Sequence, residues 1–169
     1  MGLFRRGPEV PDQVGAVVSG RALAACESGD GTWLVVTRDA WWAVSTDGAA
    51  ESLPWERVHR ADWDQDSSTL RVERVEEYGA PVQPRSFTLD QPGALLDVVR
   101  ERVTASVLLQ RRVELTRKRG FTLIARRPPS GAGVVTWAYE MDPGVDLDDP
   151  AVGAAAEQAL LEAQESLGM

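Results

Sequence analysis

Across residues 20–90 short β-rich runs alternate with turn residues, a spacing that predicts antiparallel strands joined by tight connections. Residues 21–27 lead into the turn cluster Ser28-Gly29-Asp30-Gly31, and the β-branched and aromatic stretch 32–37 completes a hairpin. Residues 41–46 form a third run, ended by Asp47-Gly48, a dipeptide that favours tight turns because glycine tolerates positive φ. Residues 51–63 read as one fourth strand, in which Trp55 and Val58 break strict alternation and predict a bulge at Glu56-Arg57. Asp64-Gln65-Asp66-Ser67-Ser68 turns the chain into a fifth run, where Leu70 and Val72 alternate with Arg71 and Glu73. After a Gly79-Ala80-Pro81 loop, residues 85–89 supply a sixth, with Phe87 and Leu89 on one face.

The period changes at Asp90. Asp90-Gln91-Pro92 offers a side-chain cap and a proline suited to a first turn, and Leu95, Leu96, Val99, Val103 and Val107 then recur at helical spacing. The expectation is one amphipathic helix over residues 92–110, able to close the open end of a curved sheet. Beyond it lie strand-like residues 113–116, the basic turn Arg117-Lys118-Arg119-Gly120, and an alternation of Phe121, Leu123 and Ala125. A loop, Pro128-Pro129-Ser130-Gly131-Ala132-Gly133, precedes a second alternation of Val135, Trp137, Tyr139 and Met141. Asp149-Pro150 caps a last helix whose stripe, Val152, Ala155, Ala156, Ala159, Leu160, Ala163 and Leu167, is rich in alanine and suits close packing on a sheet.

The stretch Leu34-Val35-Val36-Thr37-Arg38-Asp39-Ala40-Trp41-Trp42-Ala43-Val44 resembles a hairpin of the bacterial pleckstrin-homology-like (PH-like) domains, and Leu53-Pro54-Trp55-Glu56-Arg57-Val58 is similar to the opening of their next strand. The resemblance spans about residues 14–110. It implies an α+β fold, a PH-like antiparallel β roll closed by one amphipathic helix, to which residues 111–169 add a small β-hairpin or meander and a helix. Residues 1–13 are expected to be a flexible tail. That family has seven strands where six are legible here, and residues 13–18 are the candidate for the missing one.

A chain of 169 residues with 43% hydrophobic content can build one real core. One Cys and one His exclude a disulfide framework or a zinc ribbon from this chain alone, and no apolar run approaches a membrane helix. No targeting signal is read at the start; Gly2 does not make a myristoylation site because Arg6 stands where Ser or Thr is wanted, and a cytoplasmic location is expected. Seventeen of the 18 basic residues are Arg, a bias attributed to a GC-rich bacterial genome. Charge is uneven: residues 1–110 carry −6, residues 111–127 carry +6 and residues 128–169 carry −8.

Catalytic readings are weak. Cys26 and His59 are the only thiol and imidazole, and both fall on strands as packing or surface residues; His59 with Asp62 or Asp64 lacks a nucleophile elbow. Asp142, Asp146, Asp148 and Asp149 lack the spacing of a calcium loop and read as a solvated turn before a helix. Gly29-Asp30-Gly31 and Gly131-Ala132-Gly133 match no nucleotide-binding motif, and no cofactor is expected. The residues expected on a binding surface are Arg111, Arg112, Arg117, Lys118, Arg119, Arg126 and Arg127, together with Trp41 and Trp42.

For the basic segment, pairing with the acidic C-terminal segment is favoured, Glu157, Glu162 and Glu165 lying near Arg112, Arg117 or Arg126. Contact with anionic lipid or an acidic partner comes second, and nucleic acid is disfavoured by the net charge of −8. Adjacent Trp41 and Trp42 must point to opposite faces of their strand, so one lies outside the main core, under the second unit or a partner. Together with the family resemblance, these readings imply a non-enzymatic cytoplasmic interaction or adaptor module with a protein partner. A peripheral binder of anionic lipid and an enzyme with a carboxylate-based site are the alternatives.

Overall fold

The computed structural model describes residues 8–75 and 84–169. Strands β1 (Ala24–Glu27), β2 (Trp33–Val36), β3 (Ala40–Val44) and β4 (Ala50–Pro54) form an antiparallel four-stranded sheet in sequential order. Its turns are set by short polar side chains. Asp30 accepts hydrogen bonds from the Ser28 hydroxyl and from the Thr32 amide (2.9 Å), and Asp47 does the same for Ser45 and Ala49. Between β2 and β3 the Thr37 hydroxyl donates to the Ala40 carbonyl (3.0 Å) and accepts from the Ala40 amide (3.2 Å).

The run 51–63 is not one strand. Pro54 ends β4, Trp55–Arg57 forms a 3-10 turn, and β5 (Val58–Asp64) starts a second sheet with β6 (Thr69–Arg74) and β7 (Arg85–Thr88). The bulge expected at Glu56-Arg57 is therefore a corner between sheets; the register irregularity that does occur lies between Val58 and Arg60. Proline offers no amide to continue the ladder, and Trp55 turns inward, 1% exposed, to donate its indole N–H to the Thr37 carbonyl at 3.1 Å. The division raises the strand count before the helix to seven among the described residues. Residues 13–18 do not supply a strand: Asp12–Gly15 is a short helix, α1. The predicted loop at Gly79-Ala80-Pro81 lies outside the described residues.

Helix α2 spans Leu95–Ser106, shorter at both ends than the expected 92–110. Asp90 does not cap it; its N-cap is Ala94, without a side-chain hydrogen bond. At the other end Val107, read as the last residue of the apolar stripe, already belongs to strand β8 (Val107–Thr116), whose pairing with β9 (Arg119–Arg126) outcompetes another helical turn. Leu95 and Val99 are buried, and α2 packs against β1 and β2 of the first sheet and against β5 and the Trp55 turn of the second. One core results, filled by Leu34, Val36, Trp41, Trp55, Leu70, Val72, Phe87, Leu89, Leu95 and Val99, with Trp41 and Phe87 edge to face at 5.3 Å.

A third antiparallel sheet, ordered β10-β9-β8 with β10 at Thr136–Met141, carries helix α3 (Pro150–Ser166) on one face. Asp149 caps α3 as expected, accepting from the amides of Ala151 (2.8 Å) and Val152 (3.4 Å). Ala156, Ala159 and Ala163 of the predicted stripe are buried against Phe121 and Leu123. Gly120 is obligatory: a Cβ there would sit 1.9 Å from the Val113 carbonyl oxygen. Trp55→Ala should lower unfolding stability by about 3–5 kcal/mol, as large truncations in a filled core do. Urea titration read by tryptophan fluorescence checks this, and a loss below 1 kcal/mol would contradict the role given to the corner.

Candidate functional site

Strand register decides where the basic segment goes. Arg111 is paired with Leu123 and Val113 with Phe121, so Arg111 shares the face covered by α3, where it meets Glu162 at 2.5 Å. Arg112 lies on the opposite face and forks onto Asp142, at 3.0 and 2.5 Å. Asp142 also accepts from the Gly120 amide at 2.8 Å, and these bonds hold its carboxyl below the usual carboxylate range. The acidic segment thus does meet the basic one, but only Glu162 of the three expected helix carboxylates forms an ion pair with it among the described residues. Arg112 turns instead to the loop before α3, because alternation along β8 points it away from the helix.

Arg117, Lys118 and Arg119 sit at the exposed β8–β9 turn, with the Arg119 guanidinium lying over Gly144. Arg127 is exposed just past the far end of β9, about 26 Å from Arg119 at roughly 3.3 Å per residue. Arg126 corrects the expectation of a surface residue outright, being only 5% exposed. Seven residues adjacent in sequence are therefore divided between two faces, two ends and the interior.

Trp41 and Trp42 occupy opposite faces as expected. Trp41 is in the main core; Trp42 joins Val35, Val44, Trp33 and Ala25 on the outer face of the first sheet. Its cover is not the second unit but residues preceding β1: Val10, Val14, Val18 and Ala22 pack there. Residues 8–13, placed in a flexible tail by the sequence reading, thus include a packed residue, Val10.

The most organised polar constellation is one that the sequence reading missed, at the junction of the two halves. Arg126 donates to the Val103 carbonyl (3.2 Å), the Ser106 hydroxyl (3.0 Å) and the His59 carbonyl (3.0 Å), so one guanidinium ties the end of α2 and strand β5 to β9. Burial lowers its pKa from the usual arginine value, with the charge of Glu140 opposing. His59 Nε2 lies 3.4 Å from Glu140 of β10, and Arg60 approaches the same oxygen at 3.7 Å. The available signal was the unbroken run Leu123-Ile124-Ala125, which marks a central strand buried on both faces and so implies a covered Arg126.

The remaining candidates do not assemble. Cys26 contacts the Gln91 carbonyl at 3.5 Å, and burial pushes its thiol up, away from the thiolate that a nucleophile needs; His59 faces Glu140 instead. Asp146 and Asp149 accept backbone amides of their own turn, and no group of His, Cys, Asp or Glu among the described residues is placed to hold a metal ion. An open cavity of about 190 Å³ is lined by Thr32, Ala43, Ser45, Ala49, Ala50, Glu51 and Arg85. Its charges are already matched, since Glu51 pairs with both Arg74 (3.2 Å) and Arg85.

A scan against protein-family models finds none that matches this chain, and a search of curated proteins finds no match. No helix among the described residues is long and apolar enough to cross a membrane.

Two outcomes follow from the junction. Arg126→Ala removes three hydrogen bonds of the guanidinium at about 1 kcal/mol each, so a loss near 3 kcal/mol is expected in denaturant titration. Lysine should not restore it, because a single ammonium cannot span both directions. His59, whose pKa burial pushes below the ordinary 6.5, prefers to be neutral in the folded chain, so the unfolded chain binds its proton first. The stability His59 contributes is full above pH 6.5 and is lost as pH falls through 6.5 toward the lower folded value. A urea midpoint falling between pH 7.5 and pH 5.5 in the native chain, with a flatter profile in His59→Asn, is the expected observation.

Proposed function

We propose that this chain is a non-enzymatic interaction module of the bacterial cytoplasm, an adaptor built on a PH-like domain over about residues 14–110 with residues 111–169 docked on it. The observation that carries the reading is what fills the space between the two sheets: Trp41, Trp55, Phe87, Leu89 and Leu95, all buried hydrocarbon and aromatic rings. A substrate has no route into such an interior, so recognition belongs on the outer surface, where a macromolecule binds. Strand order supports the family reading. Sheets of four and three antiparallel strands precede an amphipathic helix that touches both, which is the arrangement the resemblance implies.

The carboxylates favour binding over acid–base chemistry. Asp30, Asp47, Asp64, Asp142 and Glu162 are all held below their ordinary pKa by hydrogen bonds to nearby amides, hydroxyls or arginines. A general acid needs the opposite displacement. Partition of the basic segment over two faces and two ends likewise weakens the lipid reading, since membrane attraction depends on clustered cations.

Immobilised full-length chain incubated with bacterial lysate should retain a protein that, once purified, binds back saturably at defined stoichiometry. Vesicles containing anionic lipid should fail to sediment the chain at 0.05 to 0.1 M salt, where the Debye length is about 10 Å or more. Sedimentation at low salt that fades near 1 M would replace the protein-partner reading with the lipid one.

A further inference from the structure

In the order β10-β9-β8, strand β8 is an edge, and at ten residues it is the longest strand among the described residues. Between its register irregularities, at Val107/Leu109 and at Glu114/Thr116, residues 109–114 pair regularly with β9. Two backbone hydrogen bonds fix which way the groups of β9 turn: the Arg127 amide donates to the Ser106 carbonyl (2.9 Å) and the Asp142 amide to the Gly120 carbonyl (3.1 Å). Alternation from those points aims Leu109, Arg111 and Val113 at β9 and leaves the N–H and C=O groups of Gln110, Arg112 and Glu114 on the free edge. Among the described residues no strand lies beyond that edge, and all three side chains on it are exposed.

Edge strands are commonly guarded by charge, and here the guards are matched within the chain. Arg111 pairs with Glu162, and Arg112 forks onto Asp142 across Gly120, which draws its guanidinium away from the edge. What remains is self-complementary. Laid antiparallel on its own copy and centred at Arg112, β8 sets Gln110 opposite Glu114 of the second copy and each Arg112 diagonal to the other copy's Glu114. Glu114, Arg117 and Lys118 form no ion pair among the described residues. The same arrangement places the turn cations Arg117 and Lys118 of each copy beside the start of β8 in the other, at the end of the segment 1–110 that carries −6.

We propose that the β8 edge is the docking surface for a second copy of this chain, joining two three-stranded sheets into one of six strands with an α3 from each copy on the same face. α3 packs over β8 and β9, and strands lie roughly 4.8 Å apart, so the pairing sets the two α3 axes roughly 10 Å from one another, the spacing of packed helices. Glu162 reaches β8 while the charge of Glu157 acts on Tyr139 of β10, so the flank of α3 turned toward the second copy carries Ala155, Gln158 and Glu162. Its one charge is already held by Arg111. This pairing stands apart from the interaction-module reading, and each can fail without the other.

Sedimentation equilibrium of the full-length chain should give twice the chain mass; a chain that stays monomeric up to its solubility limit would overturn the proposal. Gln110→Pro removes an N–H that faces outward and leaves the bonds to β9 in place. It should raise the dimer dissociation constant about tenfold or more, since symmetry removes two hydrogen bonds at once. Glu114→Arg, which puts like charge beside Arg112 of the second copy, should do the same with tryptophan fluorescence unchanged. A dimer as tight in both variants as in the native chain would also overturn it. Oxidative cross-linking reads the register. Gln110→Cys combined with Glu114→Cys should give a disulfide-linked dimer, because opposed positions fall within the Cα span of about 4.4–6.8 Å that a disulfide bridges. Gln110→Cys alone should not, its two copies standing four residues, or roughly 13 Å, apart along the strands. Cross-linking of the single variant, or none in the double one, would rule out the antiparallel pairing centred at Arg112.

Discussion

The indole of Trp55 is the contact on which the rest of the molecule depends. By filling the corner after Pro54 and donating to the Thr37 carbonyl, it lets one continuous stretch of chain leave the first sheet and begin the second while both remain over a shared core. A straight strand of thirteen residues would have produced one flat sheet with two exposed faces. The corner instead folds seven short strands around a single hydrocarbon interior, and α2 can then touch both sheets at once.

Arg126 does for the two halves what Trp55 does for the two sheets. The two NH2 groups of the guanidinium find three acceptors drawn from two different elements, α2 and β5, while its buried Nε finds none, which makes the joint specific in angle as well as in place. Around it, His59, Arg60 and Glu140 add a more exposed ring of charge whose balance shifts with pH. The basic segment that looks like one patch in sequence is therefore partly a fastening and partly the outer arms of a hairpin.

Much of the fold was legible because local chemistry and tertiary structure agree. Asp47-Gly48 makes a turn, Leu70 and Val72 face inward, and the alanine stripe from residue 156 to 163 packs on its sheet as spacing predicts. Illegible parts are those where distant residues choose between local options. Whether residues 55–57 bulge or turn depends on whether the Trp55 ring has a cavity to enter. Whether Val107 ends a helix or starts a strand depends on β9, which lies more than ten residues away. The candidate site suffered most: alternation sends neighbouring arginines to opposite faces, so Arg111 and Arg112 find different partners, and burial of Arg126 requires knowing what covers the second face of β9.

Helix α2 passes into β8 with no intervening loop, Ser106 ending one and Val107 beginning the other. A boundary drawn anywhere near residue 110 therefore cuts through a paired strand and strips β9 of a neighbour, while leaving α2 without the guanidinium that binds its Val103 carbonyl and Ser106 hydroxyl. The two units thus share one continuous stretch of backbone, the end of α2 running directly into β8.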